Sequence, residues 1–415
     1  MKKSILTTAI ICAFSFSSQL LAQNAENTGI NGVSVELSGT FYQPNESQMI
    51  QESTPVLEFS GLNAQGGKDI VKGYINAFGK DVIGHIISDK LTEMDGKLSP
   101  AQRAEILSNK NKMEKEFPEL IDFYSGVADA SGFTTDEVYL TVWAMDGLFA
   151  MNIQDVASSG LLALQEAAGK TRGCTTIGWS NGVLGQNQDM PVSLAGYGAI
   201  WKSNGVIVHA PEPLFTSIVM GRDLATAVNT VDAFYAGGLE AGVPISGVLL
   251  AMATKFDNVM SAKETLDRLE VNAAYATSFA DKKGQIITVV NKRGSNDVIN
   301  GAVKGYVTHT NHPLGKEKAL IDHYANGNAS LFDYAVKTTI WRNEVAESHA
   351  KYSPEKSVTA LKDIFKQKPL LKAPYEGNAF VTTNSIIHDL SAGCSYGTTW
   401  LPTMQEYTKV CFDEK

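Results

Sequence analysis

The sequence has few cysteines, little charge and no basic cluster. Only 4 of its 415 residues are Cys, which excludes a small disulfide-dense scaffold. Lys and Arg total 35 against 44 Asp and Glu, so the formal charge is −9, and no run of five basic residues occurs. A surface that neutralises phosphates is therefore missing, and we predict no nucleic-acid partner. With 44% hydrophobic residues, the chain is an ordinary globular protein of one large domain or two smaller ones.

The first 22 residues have the pattern of a signal peptide. Lys2 and Lys3 precede an apolar stretch from Ile5 to Leu21, and Ala22 is a small residue that suits signal peptidase. Thr and Ser residues interrupt the stretch, so it is too weakly apolar for a membrane anchor of about 20 residues. We expect cleavage after Ala22 and a periplasmic or secreted mature protein without a membrane span.

Helical periodicity dominates residues 67–148. Ser99-Pro100 fits the N-cap and first position of a helix, and another helix is expected from Pro118 to near Gly132. Thr134 and Glu137 fit a capping box before the apolar run 138–151. One amphipathic helix is predicted from a stripe at three- and four-residue spacing, formed by Val71, Tyr74, Ile75, Phe78, Val82 and Ile86.

After Gly173, short β-branched runs alternate with turns. The pattern predicts a hairpin of strands 174–179 and 183–187 around Ser180-Asn181-Gly182. The same turn sequence recurs at Ser203-Asn204-Gly205, and two hairpins so close together indicate an antiparallel sheet. Further strands are expected near 275–279 and 285–290, and helices at about 261–269 and 331–348.

Two G-x-S-x-G matches raise the alternative of a serine α/β-hydrolase. They centre on Ser180 and Ser395. The motif works only as a strand-to-helix elbow, with an acid and then a His following in chain order. No His follows His388, which disfavours Ser395, and a returning strand after the first match makes Ser180 a hairpin residue. The hairpin is the better interpretation, with Ser180 kept as an alternative nucleophile.

No metal or cofactor site is predicted. His309 and His312 resemble a metal-binding pair, but no carboxylate stands close by and Pro313 breaks any helix. A papain-like Cys/His site also lacks its local signature around every cysteine.

The cysteine count leaves an odd thiol. Removal of the signal peptide also removes Cys12, so Cys174, Cys394 and Cys411 stay in an oxidising compartment. Cys394 and Cys411 lie close together near the C-terminus and are candidates to pair, which leaves Cys174 free for chemistry. Three buried, unpaired cysteines are the alternative.

The dipeptide Gly173-Cys174 suits self-activation. A Cys directly after Gly can attack the preceding, sterically open carbonyl, and water can then hydrolyse the thioester. The cut leaves Cys174 as a new N-terminus, whose α-amine has a reference pKa of about 8. Such a residue carries a general base beside its own thiol, so no separate His is needed.

Three separated segments resemble the isopenicillin-N acyltransferase-like cysteine peptidases and, more distantly, the choloylglycine hydrolases and penicillin V acylases. These families are N-terminal-nucleophile enzymes, so the resemblance implies an α+β, four-layer αββα sandwich. It also implies that residues 23–173 form a helical pro-segment packed on a catalytic segment, 174–415. The segments are Gly173-Cys174-Thr175-Thr176 with Gly185-Gln186-Asn187-Gln188-Asp189, residues 117–132, and His309-Thr310-Asn311-His312-Pro313.

The resemblance also implies roles for single residues. Gln186 stands where choloylglycine hydrolases have Arg, which favours the acyltransferase branch. Arg342 lies on the right kind of segment for a late family arginine, without a clear alignment. The matched positions are Cys174 as nucleophile and self-cleavage site, Asp189 as the aspartate beside its amine, Asn311 as an oxyanion donor and Asn229 as a second one.

Each of these residues also has a purely structural interpretation. Cys174 fits a buried thiol, Asp189 a strand end, and Asn311 a turn before Pro313. For Asn229 the structural and functional interpretations are equally balanced.

We expect hydrolysis of a linear amide in a small-molecule substrate, through a thioester on Cys174. Acyl transfer to an amine and a non-catalytic binding protein are the alternatives. Export favours hydrolysis, because acyl-coenzyme A is a cytoplasmic metabolite.

Overall fold

The computed structural model describes residues 53–158, 173–191, 196–231, 241–292, 295–312, 339–373 and 380–413. The predicted signal peptide lies outside the described residues. No helix within these ranges is long and apolar enough to cross a membrane.

The described residues before Gly173, 53–158, contribute one short strand and five helices. The strand β1 belongs to a sheet that later residues build, because it pairs in parallel with strand 199–202. The elements are β1 (Val56–Glu58), α1 (Ala64–Phe78), α2 (Val82–Lys97), α3 (Pro100–Glu116), α4 (Pro118–Ser131) and α5 (Thr135–Ser158).

The prediction of a single helix across residues 71–86 is wrong, because two helices cover this range. Gly79 ends α1 with a left-handed φ of 70° and donates its backbone N–H to the carbonyl of Ile75. The Asp81 carboxylate then accepts a hydrogen bond from Gly84 N and starts α2. Because Gly tolerates positive φ, a local break interrupts a continuous apolar stripe.

The helix ends predicted from capping residues are confirmed. Ser99 forms a reciprocal capping box with Gln102 at the start of α3. Thr134 and Glu137 exchange the same pair of hydrogen bonds before α5. Gly132 ends α4 with a φ of 80°.

The chain from Gly173 builds most of two sheets and a second set of helices. The strands are β2 (Gly173–Trp179), β3 (Val183–Pro191), β4 (Ala199–Lys202), β5 (Val206–Ala210), β6 (Ile218–Gly221), β7 (Leu224–Thr230), β8 (Tyr275–Asp281), β9 (Ile286–Lys292), β10 (Ser295–Asn300), β11 (Tyr306–His309), β12 (Phe380–Asp389), β13 (Cys394–Thr398) and β14 (Thr408–Cys411). The helices are α6 (Ile245–Lys255), α7 (Val259–Arg268), α8 (339–352) and α9 (Val358–Ile364).

The two predicted hairpins form, but they belong to different sheets. In the described part of the chain, one sheet has eight strands in the order β1-β4-β5-β6-β7-β8-β9-β10, and the other has six in the order β11-β2-β3-β12-β13-β14. The first hairpin, β2–β3, lies in the six-stranded sheet and the second, β4–β5, in the eight-stranded sheet. Closeness in sequence therefore did not mean a shared sheet.

Three apolar clusters define four layers. The largest joins α1–α7 to one face of the eight-stranded sheet. A second lies between the two sheets and includes Leu184, Ile207 and Val307. A third joins the other face of the six-stranded sheet to α8 and α9. The α+β, αββα sandwich expected from the resemblance is confirmed.

Strand alternation determines which residues of β2 face the opposite sheet. Thr176 donates a hydrogen bond to Asn229 of β7, across the gap between the sheets. Ile177 and Trp179 pack against the α8 and α9 layer instead. Because side chains alternate along a strand, Cys174 lies on the same face as Thr176.

A disulfide joins Cys394 and Cys411, which are direct partners in the β13–β14 ladder. Cys174 is a free, buried thiol. The pairing considered from the sequence is therefore present.

A buried carboxyl group links the helical region to α6. Asp146 of α5 accepts hydrogen bonds from Ser246 N (2.9 Å) and Ser246 Oγ (2.5 Å) at the start of α6. The group is fully buried, and this burial raises the pKa of Asp146 from 3.8 to about 7, against the two Ser246 hydrogen bonds.

The raised pKa of Asp146 predicts a fall in stability with rising pH. Folding favours the protonated form, so this contribution is complete below the unfolded pKa and is lost as pH rises from about 4 through about 7. We expect the free energy of unfolding to fall by about 4 kcal/mol over that range relative to Asp146→Asn. Urea denaturation of both proteins across the range measures it, and parallel pH curves would contradict it.

Candidate active site

Cys174 lies at the start of β2, beside the end of β3. Its direct partner in the ladder is Gln188, and Gly173 pairs with Asp189. The residue is 5% exposed. Burial raises the pKa of the Cys174 thiol to about 11, and the charge of Asp189 adds to the increase. A hydrogen bond from the Asp189 backbone and two nearby cations, Arg342 and Lys372, act in the opposite direction.

Asn311 connects Cys174 to the neighbouring sheet. It follows β11, which pairs with β2. Its Oδ1 accepts from the backbone N–H of Cys174 (2.8 Å) and from Arg342 Nη2 (2.9 Å), and its Nδ2 donates to the Thr230 carbonyl (2.9 Å). Two donors on one side and an acceptor on the other determine the orientation of the amide group.

Arg342 of α8 lies in the site. From the sequence it had no clear alignment with the late arginine of the resembling family. Its Nη1 donates to the Cys174 carbonyl (2.8 Å) and to Thr175 Oγ1 (3.3 Å), and its side chain is almost fully buried. This burial lowers the pKa of Arg342, while Asp189 and Cys174 oppose the change. The signal in the sequence was a single Arg within the segment 339–352.

Gly173 is required by the position of Arg342. A Cβ atom at residue 173 would lie 2.4 Å from the guanidinium carbon of Arg342 and 2.5 Å from both of its terminal nitrogens. The guanidinium has little freedom to move, because it holds Cys174, Thr175 and Asn311. Only Gly therefore lets the guanidinium pack against the backbone at the start of β2.

Asp189 lies near the end of β3, inside a polar cluster. Its Oδ1 accepts a hydrogen bond from Thr382 Oγ1 (2.7 Å), and its Oδ2 lies 3.7 Å from Lys372 Nζ. Burial raises the pKa of Asp189, and the charges of Lys372 and Arg342 counteract it. Lys372 was not predicted as a site residue, because nothing in its local sequence distinguishes it from a surface lysine.

Asn229 lies in the opposite sheet and contacts the neighbours of Cys174. Its Oδ1 accepts from Thr176 Oγ1 (3.0 Å) and Gln186 Nε2 (2.8 Å), and its Nδ2 donates to the His309 carbonyl (2.9 Å). Within the described residues, no hydrogen bond joins Asn229 to Cys174. In this state its amide connects the two sheets.

The His309 and His312 rings stack with their centroids 5.0 Å apart. Burial lowers the pKa of His309 to about 3 and of His312 to about 4, so both are neutral near pH 7. Among the described residues, no group of three His, Cys, Asp or Glu is arranged to hold a metal ion.

The two serine matches have different environments. Ser180 lies in the turn between β2 and β3 and donates its backbone N–H to Gly305. Ser395 lies within β13, and its Oγ is within hydrogen-bond distance of His209 Nε2 (2.6 Å) and His388 Nδ1 (2.8 Å). These contacts were not predicted, because both histidines precede Ser395 in the chain. Ser395 is fully buried in a strand, so it lacks the exposed elbow of a serine nucleophile.

No protein-family model matches the sequence, and no curated protein is similar to it. Among solved structures, the chain is similar to a mutant conjugated bile acid hydrolase from Clostridium perfringens, with 14% identity and a TM-score of 0.35 over 58% of this chain and 97% of that one. It is also similar to a penicillin V acylase from Agrobacterium tumefaciens, with 13% identity and a TM-score of 0.34 over 55% and 82%.

A third similar structure is an N-acylethanolamine-hydrolyzing acid amidase ortholog from Caenorhabditis elegans. The identity is 9% and the TM-score 0.36, over 52% of this chain and 92% of that one. Likeness at this level says nothing about chemistry or substrate, which have to be inferred from the residues of the site.

A substitution at Gly173 tests the packing of Arg342. In a Cys174→Ala background, which removes the thiol from the experiment, we expect Gly173→Ala to lower the free energy of unfolding by about 1–3 kcal/mol through overpacking. Gly205→Ala is the matched control, because no atom lies within 4 Å of its added Cβ. Urea denaturation compares the two, and equal stabilities would show that Arg342 does not require a glycine.

Proposed function

We propose that this chain is a cysteine N-terminal-nucleophile hydrolase that cuts its own Gly173–Cys174 bond and then hydrolyses a linear amide. The observation that carries the proposal is the arrangement around Cys174. Its backbone nitrogen is held by Asn311 and its carbonyl by Arg342, while Gly173 leaves the preceding peptide unit free of a side chain.

The self-cleavage step balances with one water molecule. The Cys174 Sγ attacks the Gly173 carbonyl carbon, the C–N bond breaks, and the nitrogen of Cys174 gains a proton to become an α-amine. Water then attacks the resulting thioester, releases the Gly173 carboxylate and restores the thiol. Asn311 Oδ1, which accepts from this nitrogen in the uncut chain, is placed to accept from the new amine.

In the cut enzyme the α-amine serves as the base for the thiol. The thiolate attacks the substrate amide carbon, the amine product leaves with a proton from the α-ammonium, and water releases the acid. Asp189 is the proposed partner of the amine, and backbone N–H groups with Asn311 the proposed oxyanion donors. Because Asn311 Nδ2 donates to Thr230 in the uncut chain, that donor has to exchange partners. Asn229 is kept as a second donor under this proposal.

We place the enzyme in the isopenicillin-N acyltransferase-like group on its three sequence segments, with residues 23–173 as the pro-segment. The described part of residues 23–173 shares an apolar core with the eight-stranded sheet and contributes β1 to that sheet. These contacts support a pro-segment that stays packed after the cut. Export through the signal peptide favours hydrolysis of the thioester by water over transfer of the acyl group to an amine. A substrate assay has to distinguish these two outcomes.

Chain integrity tests the nucleophile. We expect purified wild-type protein to run as two fragments and Cys174→Ala as one chain without amidase activity, because the variant lacks the attacking sulfur. Ser180→Ala is the matched control and is expected to keep both the cut and the activity. Denaturing gels and intact mass measure the cut.

An uncut wild-type chain, or an active Cys174→Ala protein, would contradict the proposal. Loss of activity in Ser180→Ala with retention in Cys174→Ala would favour the serine-hydrolase alternative. Substrate class is then determined by screening acylated amino acids, penicillins, acyl homoserine lactones and conjugated bile salts for released amine. Repeating the screen with hydroxylamine as acceptor separates hydrolysis from acyl transfer.

A further inference from the structure

Lys372 is a buried lysine in the site that the proposed mechanism does not use. Its side chain is 8% exposed, and its Nζ lies 3.7 Å from Asp189 Oδ2. Two backbone hydrogen bonds to Thr382 hold it there: the Lys372 N–H donates to Thr382 Oγ1 (2.9 Å), and the Thr382 N–H donates to the Lys372 carbonyl (2.9 Å).

Thr382 makes Lys372 and Asp189 one unit. Its hydroxyl donates to Asp189 Oδ1 at 2.7 Å, while the same oxygen accepts from the Lys372 backbone. The carboxylate thus has a hydroxyl donor on one oxygen and an ammonium near the other. A buried ammonium is costly unless it is paired, and so is a buried carboxylate.

The charges around the thiol come from three separate parts of the chain. In the described part of the chain, the charged groups that act on Cys174 are Asp189 of β3, Arg342 of α8 and Lys372. When Lys372 is protonated and Asp189 is ionised, a neutral thiol leaves one surplus positive charge, and ionisation of Cys174 gives two anions against two cations. Without Lys372, the thiolate and Asp189 would share a single counterion in a buried site, which disfavours the second negative charge.

We propose that Lys372 is a positioning residue whose ammonium pairs with Asp189 and thereby allows the buried Cys174 thiol to ionise. This inference rests on the proposed function of Cys174 as nucleophile. The proton of the thiol passes to the α-amine in the cut enzyme. Burial, with a smaller effect from the charge of Arg342, lowers the pKa of Lys372 to about 7 against the opposing charges of Asp189 and Cys174. Ionisation of the thiol therefore favours the protonated form of the lysine.

Direct titration of the thiol tests this role. Cys394 and Cys411 form the disulfide, so in the mature chain the thiolate ultraviolet absorbance, after subtraction of Cys174→Ala, belongs to Cys174. We expect Lys372→Met to raise the pKa of Cys174 by at least one unit, a tenfold loss of thiolate at a given pH, and Lys372→Arg to restore most of it. Lys282→Met, which removes an exposed lysine paired with Asp223, is the matched control and leaves the titration unchanged.

A second variant distinguishes electrostatics from packing. Lys372→Met with Asp189→Asn removes one charge of each sign, so the pKa of Cys174 is expected to return towards the wild-type value. It also removes the unpaired buried carboxylate, so this double variant is the one to compare if Lys372→Met alone does not fold. A merely structural role predicts no such return, and a double variant that titrates no closer to the wild type would overturn the proposal.

Intact mass establishes that the compared samples are all cut or all uncut. The titration needs no catalysis, so failure of the proposed function is recognised separately, by a wild-type chain that neither cuts itself nor hydrolyses amides. A Lys372→Met protein that folds and titrates like the wild type would overturn the role of Lys372 alone.

Discussion

The guanidinium of Arg342 is the interaction on which the site depends. It joins the Cys174 carbonyl, Thr175 Oγ1 and Asn311 Oδ1, and so fixes the start of β2 to the end of β11 and to α8. The residue before Cys174 has to be glycine, because the guanidinium occupies the space of its Cβ. One buried cation therefore determines the backbone position of the thiol and the absence of a side chain at residue 173.

The same burial that organises the site also works against its chemistry. Removal of water raises the pKa of the Cys174 thiol and of Asp189, so neither group ionises readily alone. Arg342 and Lys372 supply positive charge from two separate parts of the chain and offset this cost. Under the proposed mechanism, the cluster becomes a balanced group of four charges once the thiol of Cys174 has ionised.

Local signals in the sequence predicted local structure well. The N-cap at Ser99, the capping box at Thr134 and the two Ser-Asn-Gly turns depend on hydrogen bonds within a few residues, and all four form. The division of the hairpins between two sheets was not predictable, since it depends on pairing across the whole chain. The break at Gly79 shows the converse, because one left-handed residue overrides a continuous apolar stripe.

The candidate site residues also divide into those that local sequence motifs predict and those that only the fold brings to the site. Cys174, Asp189 and Asn311 lie in recognisable motifs and the fold brings them together, whereas Arg342 and Lys372 reach the site only through α8 and the pairing with β12. The most direct test of self-cleavage is to identify the first residue of the larger fragment in purified protein. We expect this fragment to begin Cys174-Thr175-Thr176. A fragment that begins elsewhere, or an uncut chain that is fully active, would show that Cys174 is not generated as an N-terminal nucleophile.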